Sequence, residues 1–158
     1  MRFFAKASER QKIDALKAIP ILCELTTREI LEVIPLLHER VYETGEILFE
    51  EGDRGHGIFI IVTGGVRAES SRELLKAMAV DIGPGEILGE LSLFDEGPRM
   101  GTVTAVERTS IVALFRGEFF SLLSSDRNLG AKVLLEIART LSRRTRELLR
   151  QERHAPSL

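Results

Sequence analysis

Glycine marks out the middle of this chain. Eleven of its 13 glycines lie between Gly45 and Gly101, and short apolar or alternating runs fill the spaces between them. Glycine supplies the positive φ angles of tight turns, so short runs bounded by turns about every 8 to 12 residues predict a small antiparallel barrel or sandwich. The predicted strands are E-I-L-F-E, G-I-F-I-I-V, G-V-R-A-E, L-L-K-A-M-A-V, G-T-V-T-A-V and T-S-I-V-A-L-F.

Helical periodicity precedes this glycine-rich middle. Residues 8–18 combine helix formers with apolar side chains on one face, which predicts a short amphipathic helix. The sequence T-T-R-E, from Thr26 to Glu29, has the form of a capping box and predicts the start of a second helix. That helix is expected to kink at Pro35 and to end near His38.

Helical periodicity returns after the last predicted strand. A short helix is predicted over residues 117–123, and Asp126 is expected to cap a long helix that runs to about Glu152. One stripe of this long helix recurs at spacings of four and three residues, as in a coiled-coil seam: Leu134, Ala138, Leu141, Thr145 and Leu148. The stripe fits either a homodimer contact or packing on the chain's own β structure.

Length and composition indicate one ordinary globular domain. A chain of 158 residues buries about 70% of its unfolded surface, so its core needs no metal or disulfide. Cys23 is the single cysteine, which excludes an internal disulfide and gives no metal cluster. No leader pattern and no membrane-spanning apolar run is present. We therefore expect a cytoplasmic protein that does not insert into a membrane.

Charge is unevenly distributed along the chain. The net charge is -2, but from Arg139 onward six arginines face two glutamates, so that tail carries +4 and the rest carries -6. An acidic body repels nucleic acid, and only the tail attracts it. DNA is therefore not the expected partner.

The segment L-G-E-L-S-L-F-D-E-G-P-R-M-G-T-V, residues 88–103, has the features of an anion site. It predicts a sharp turn into about one helical turn, whose first N–H groups lack acceptors and favour negative charge. Arg99 offers a bidentate contact to a phosphate, whereas Glu90 can only accept hydrogen bonds. A ligand with both a phosphate and a hydroxyl group satisfies all of these groups.

This segment resembles the phosphate-binding cassette of cyclic nucleotide-binding domains, whose pattern is F-G-E-L-A-L followed by P-R-A-A-T-V. The resemblance extends through G-E-I-L-F-E-E-G-D, I-V-T-G-G-V and I-G-P-G-E, over roughly residues 20–150. It implies a mainly β fold, an eight-stranded antiparallel β-roll with flanking helices. The expected domain covers residues 1–158, with N-terminal helices over 8–39, the roll over 40–115 and C-terminal helices over 117–152.

The resemblance also implies a role for each residue of the cassette. Arg99 would pair with the cyclic phosphate and Glu90 would accept the ribose 2'-hydroxyl. The ligand-binding set that follows is Gly89, Glu90, Leu91, Ser92, Arg99, Met100 and Gly101, with backbone N–H groups at Gly89, Leu91, Ser92 and Met100 completing the phosphate cradle.

Three positions depart from the family's pattern. Leu88 replaces its usual aromatic residue, and Met100 and Gly101 replace its two small residues after the arginine. Members that prefer cGMP often carry threonine where this chain has Met100, so the missing hydroxyl favours cAMP. The residues in register to cap the base are Arg144 and Thr145; Arg144 equally fits a solvated charge, and Thr145 equally fits the seam.

The expected function is that of a cyclic nucleotide sensor, with cAMP as the first ligand, cGMP as the second, and no cofactor. Binding would be transmitted through the terminal helices to an unknown protein partner, without catalysis. Two alternatives stay open at this point. One is a roll that binds no nucleotide and serves as a dimerisation or docking module; the other is a DNA-associated regulator that lacks its own helix-turn-helix.

Overall fold

A computed structural model describes residues 7–71 and 79–154 of the chain. Most of the predicted strand L-L-K-A-M-A-V falls on residues 72–78 and so lies outside the described residues. Within the described ranges, no helix combines the length and the apolar character needed to cross a membrane.

The glycine-rich middle folds into two antiparallel sheets, as predicted. The described residues contain eight strands, β1 to β8: Leu37–Tyr42, Ile47–Phe49, Gly57–Thr63, Val66–Glu69, Val80–Ile82, Ile87–Leu88, Thr102–Ala105 and Thr109–Phe115. One sheet has the order β1-β8-β3-β6 and the other has the order β2-β7-β4-β5. The expected turns carry glycines with positive φ, among them Gly45 at 86° and Gly64 at 82°. The β-roll is confirmed.

Among the residues that the structure describes, two helices precede the roll, a short one lies between β6 and β7, and two follow the roll. They are α1 to α5: Glu9–Lys17, Thr27–Val33, Leu91–Phe94, Arg116–Ser125 and Arg127–His154. The predicted capping box at Thr26 and Glu29 is formed, with each residue bonding the other's backbone N–H. Asp126 accepts hydrogen bonds from two N–H groups in the first turn of α5, as a cap does.

The second helix ends earlier than the sequence predicted. It stops at Val33, a 3-10 turn covers Ile34–Leu36, and β1 already begins at Leu37. Proline inside a helix removes a hydrogen bond and clashes with the preceding turn, so Pro35 ends the helix rather than kinking it. His38 therefore lies in a strand opposite Ala113, and not at a helix end. The predicted helical range of 8–39 is wrong in its last residues.

Alternation along the central strands divides the core in two. Ile58 and Ile60 of β3 pack with the helices, whereas Ile61 packs with the second sheet inside the roll. Successive side chains of a strand point to opposite faces, so the first sheet is covered on both sides. The helix-side cluster includes Phe119 of α4 and Ile137 of α5. This packing fixes the first half of α5 against the roll.

An ion pair joins the N-terminal helices to α5. Lys132 Nζ lies 2.7 Å and 2.9 Å from the two carboxylate oxygens of Glu29. Its hydrogen bonds, together with that from the Thr26 backbone N–H, lower the pKa of Glu29 from 4.5 to about 2. The depressed pKa means that this contribution to folding is present above pH 4.5 and is lost as the pH falls toward 2.

Replacing Glu29 by glutamine is expected to lower the free energy of unfolding by about 1 kcal/mol at pH 6, as for a partly exposed ion pair. Urea unfolding should show the difference from the wild type shrinking as the pH falls below 4.5, because the wild-type carboxylate is then protonated. Glu32→Gln is the matched control, since Glu32 meets Arg28 on an exposed surface of the same helix. A difference for Glu29→Gln that does not change with pH would contradict this account.

Candidate functional site

The predicted cassette forms one wall of a cavity of about 180 Å³. Strand β6 ends at Leu88, the chain turns at Gly89, and α3 begins two residues later. Eight of the nine predicted site residues line the cavity: Gly89, Glu90, Leu91, Ser92, Arg99, Met100, Gly101 and Arg144. Thr145 is not among the lining residues; it is exposed and its hydroxyl donates to the Leu141 carbonyl.

Gly89 shapes the turn between β6 and α3. Its φ is +77°, a conformation that side chains disfavour. A Cβ atom at this position would lie 1.9 Å from Nη1 of Arg99. The glycine therefore serves two purposes, because it permits the turn and it leaves room for the guanidinium.

Arg99 is a buried cation at the bottom of the cavity, only 4% exposed. Its Nη1 donates to the Gly89 carbonyl at 3.0 Å and its Nη2 donates to the Gly57 carbonyl at 3.1 Å. The Nε–H group is buried and has no hydrogen-bond partner among the described residues. Burial lowers the pKa of Arg99, although a guanidinium stays protonated in proteins.

The charge of Arg99 is not neutralised by a direct contact. Within the described part of the chain, no ion pair to a carboxylate is formed by this guanidinium. Glu90 and Asp53 act on Arg99 through longer-range electrostatics, but the buried Nε–H group keeps its desolvation cost, which an anion that accepts it would reduce. The arrangement is therefore that of an anion-binding site.

The first residues of α3 add backbone donors to the same wall. Leu91 and Ser92 begin the helix, and the first N–H groups of a helix have no acceptor within it. Both residues line the cavity, and Ser92 is only 2% exposed. The first residues of this short helix thus line the same cavity as Arg99.

Glu90 and Arg144 connect the cavity to the C-terminal helix. Arg144, on α5, places Nη1 2.8 Å from Oε1 of Glu90 and donates from Nη2 to the Ile87 carbonyl. The Glu90 side chain is 9% exposed. Arg144 therefore holds a buried carboxylate in place and leaves the second carboxylate oxygen as an acceptor beside the cavity.

The two residues after Arg99 form the outer part of the wall. Met100 is 41% exposed and lines the cavity. A Cβ atom at Gly101 would lie 2.6 Å from the Glu69 carbonyl oxygen, which is backbone and cannot move aside easily. The glycine at this position is explained by the close approach of β4.

The sequence analysis missed the aromatic residues beneath Arg99. The guanidinium carbon lies 4.2 Å from the ring centroid of Phe49 and 5.2 Å from that of Phe59. Phe49 also lines the cavity. Both residues occur in runs predicted as strands, where an aromatic side chain is typical of the core, so nothing in the sequence pairs them with Arg99.

Arg116 was also missed, and it ties α3 to α4. Its Nη1 donates to the Leu93 carbonyl at 2.7 Å, and its Nη2 lies 2.9 Å from Glu96. Phe94 at the end of α3 packs edge-on against Phe119 of α4, with centroids 6.0 Å apart. These contacts connect the cassette directly to the C-terminal helices.

Comparison with known proteins identifies the family of this chain. The profile of the cyclic nucleotide-binding domain matches residues 39–126. The Cyclic AMP receptor protein of Thermus thermophilus is 34% identical over 136 residues, which cover 84% of this chain and 60% of the relative. The chain thus spans less than two thirds of that protein's length. It belongs to the cyclic nucleotide-binding domain family.

Solved structures show the same fold. The N-terminal domain of a transcriptional regulator from Streptomyces coelicolor has a TM-score of 0.69 and 29% identity, over 82% of this chain and 94% of that one. A cyclic nucleotide-binding domain from Methylobacillus flagellatus has a TM-score of 0.80 and 23% identity, over 95% of this chain and 86% of that one. Because the second structure is only 23% identical in sequence, its similarity supports the fold alone.

Proposed function

We propose that this chain is a cyclic nucleotide sensor, with cAMP as its first ligand. The observation that carries the proposal is the buried guanidinium of Arg99, which lines the cavity. Its Nε–H group has no hydrogen-bond partner among the described residues. The similarity to a cyclic AMP receptor protein supports the same ligand class.

Each cassette residue has a defined part in this proposal. Arg99 and the backbone N–H groups at Gly89, Leu91, Ser92 and Met100 bind the cyclic phosphate. Glu90 accepts the ribose 2'-hydroxyl, and its burial beside Arg144 keeps the carboxylate fixed for that purpose. Gly101 completes the wall.

The base is expected to lie against Met100 and α5. A methionine side chain offers no hydroxyl to a guanine, so the proposal places cAMP before cGMP. Arg144 and Thr145 are proposed to cap the base. Arg144 already reaches the cavity, whereas Thr145 reaches it only if α5 shifts or rotates when the ligand binds.

Transmission is proposed to run through the terminal helices. Arg144 joins α5 to Glu90, and Arg116 joins α4 to the end of α3. Both C-terminal helices are therefore in direct contact with the cassette. A homodimer through the coiled-coil stripe of α5 is part of the proposal. Leu134 and Leu148 of that stripe are 38% and 41% exposed, whereas Leu141 packs partly on the chain's own core.

The remaining parts of the proposal concern the cell. The chain would act in the cytoplasm as one domain over residues 1–158, without catalysing a reaction, and would report to a protein partner. Its acidic body disfavours DNA as the direct partner of this segment.

Thermal unfolding tests the proposal. A ligand that binds only the folded state adds RT ln(1 + [L]/Kd) to the free energy of unfolding. A saturating cyclic nucleotide should therefore raise the melting temperature, and the increase should grow with ligand concentration. A melting temperature that stays flat with cAMP and cGMP would favour a roll that binds no nucleotide and serves in docking.

Glu90→Gln tests the ribose contact. It should weaken cAMP binding by about 1–3 kcal/mol, because a charged acceptor of the 2'-hydroxyl becomes neutral. The same substitution should have almost no effect on the binding of 2'-deoxy-cAMP, which lacks the donor. An equal loss for both ligands, measured by calorimetry, would remove Glu90 from the ribose site.

A further inference from the structure

The floor beneath Arg99 is aromatic, and it comes from both sheets of the roll. Phe49 ends β2 in one sheet, and Phe59 lies in β3 of the other. Their ring centroids are 5.6 Å apart and the rings are inclined by only 21°. We call these two residues the aromatic floor.

The guanidinium of Arg99 lies over this floor within cation–π range. Its central carbon is 4.2 Å from the Phe49 centroid and 5.2 Å from the Phe59 centroid, and such contacts act within about 6 Å. A cation–π contact strengthens when the cation is desolvated, and Arg99 is only 4% exposed. Phe49 is the closer ring and also lines the cavity.

The floor and the carbonyl groups hold different parts of the guanidinium. The rings lie within cation–π range of its central carbon, and the carbonyls of Gly57 and Gly89 accept hydrogen bonds from two of its five N–H groups. The Nε–H group remains without a partner among the described residues. An anion that accepts this Nε–H group therefore uses a donor that the carbonyls of Gly57 and Gly89 leave available.

We propose that Phe49 is a positioning residue for anion binding: its ring stabilises the desolvated Arg99 guanidinium and holds it in place at the cavity. This proposal rests on the proposed function for the identity of the anion, a cyclic phosphate. The held guanidinium loses less freedom when the ligand binds, and preorganisation of this kind increases affinity.

The test compares residues at position 49 by calorimetry with cAMP. Phe49→Leu keeps an apolar side chain but removes the ring, and should weaken binding about five- to thirtyfold, the factor that corresponds to a desolvated cation–π contact. Phe49→Tyr keeps the ring and should bind within about twofold of the wild type. Tyr42→Leu is the matched control, because Tyr42 packs in the same cluster without a ring contact to Arg99.

A second measurement examines the ligand-free protein. The NMR signal of the Arg99 Nε–H proton can be assigned by its loss in Arg99→Lys. This proton should exchange slowly with water in the wild type, in Phe49→Tyr and in Tyr42→Leu. It should exchange faster in Phe49→Leu, since the guanidinium is then less firmly held. A purely structural role for Phe49 would lower the melting temperature without this selective change.

The outcomes separate the two proposals. If the wild type binds no cyclic nucleotide, the proposed function fails, and the resonance of Arg99 still decides whether Phe49 holds the guanidinium. If the wild type binds and Phe49→Leu binds as tightly or more tightly, the positioning role of Phe49 is wrong. Unchanged Nε–H exchange in Phe49→Leu would likewise overturn it.

Discussion

Arg99→Ala is expected to weaken cyclic nucleotide binding by about 2–5 kcal/mol, the cost of leaving one member of a buried charge pair alone. This corresponds to a loss of about thirtyfold or more in affinity. The loss should be large because the rest of the phosphate cradle offers only backbone donors. Calorimetry with cAMP measures it, and an affinity equal to that of the wild type would remove Arg99 from the site.

Arg99→Met is the companion variant, because it keeps an apolar stem above Phe49 and removes the charge. Its binding should fall as far as that of Arg99→Ala. Its ligand-free melting temperature should change little, since the loss of the hydrogen bonds to the Gly57 and Gly89 carbonyls is offset by the removal of a desolvated charge. A marked loss of thermal stability would mean that the guanidinium serves the fold rather than the ligand.

Gly89→Ala is expected to have the second large effect. The new Cβ atom would lie 1.9 Å from Arg99 Nη1, so the guanidinium must leave its present position. The φ of +77° adds a backbone cost of about 1–2 kcal/mol for any residue with a Cβ atom. We expect cAMP affinity to fall at least tenfold, together with a loss of stability, as measured by calorimetry and urea unfolding.

Gly45→Ala separates these two causes. Gly45 has a φ of 86°, and a Cβ atom there would meet nothing within 4 Å. The free energy of unfolding of this variant, measured with urea, should therefore be lowered by the backbone cost, whereas its affinity for cAMP should equal that of the wild type. If Gly45→Ala weakened binding as much as Gly89→Ala, displacement of Arg99 would not be the cause.

The features that were predictable from the sequence are local ones. Glycines at tight turns, the capping box at Thr26 and the cap at Asp126 depend on neighbours within a few residues, and all of these were found in the structure. The cassette from Leu88 to Val103 was predictable for the same reason. Its turn, its short helix and its arginine follow one another directly in the chain.

The errors and omissions concern partners distant in sequence. The first three residues of β1, 37–39, were predicted as helix, but their pairing with β8, more than 60 residues away, outweighs the local pattern after Pro35. The floor under Arg99 was missed because Phe49 and Phe59 come from different sheets. The partner of Arg144 was missed because 54 residues separate it from Glu90.

Isothermal titration of the unmodified chain with cAMP and cGMP tests the central claim most directly. The account predicts saturable binding of cAMP at one site per chain, tighter than that of cGMP, and abolished or severely weakened by Arg99→Ala. The absence of binding heat with either nucleotide at several temperatures, with the protein folded, would contradict it.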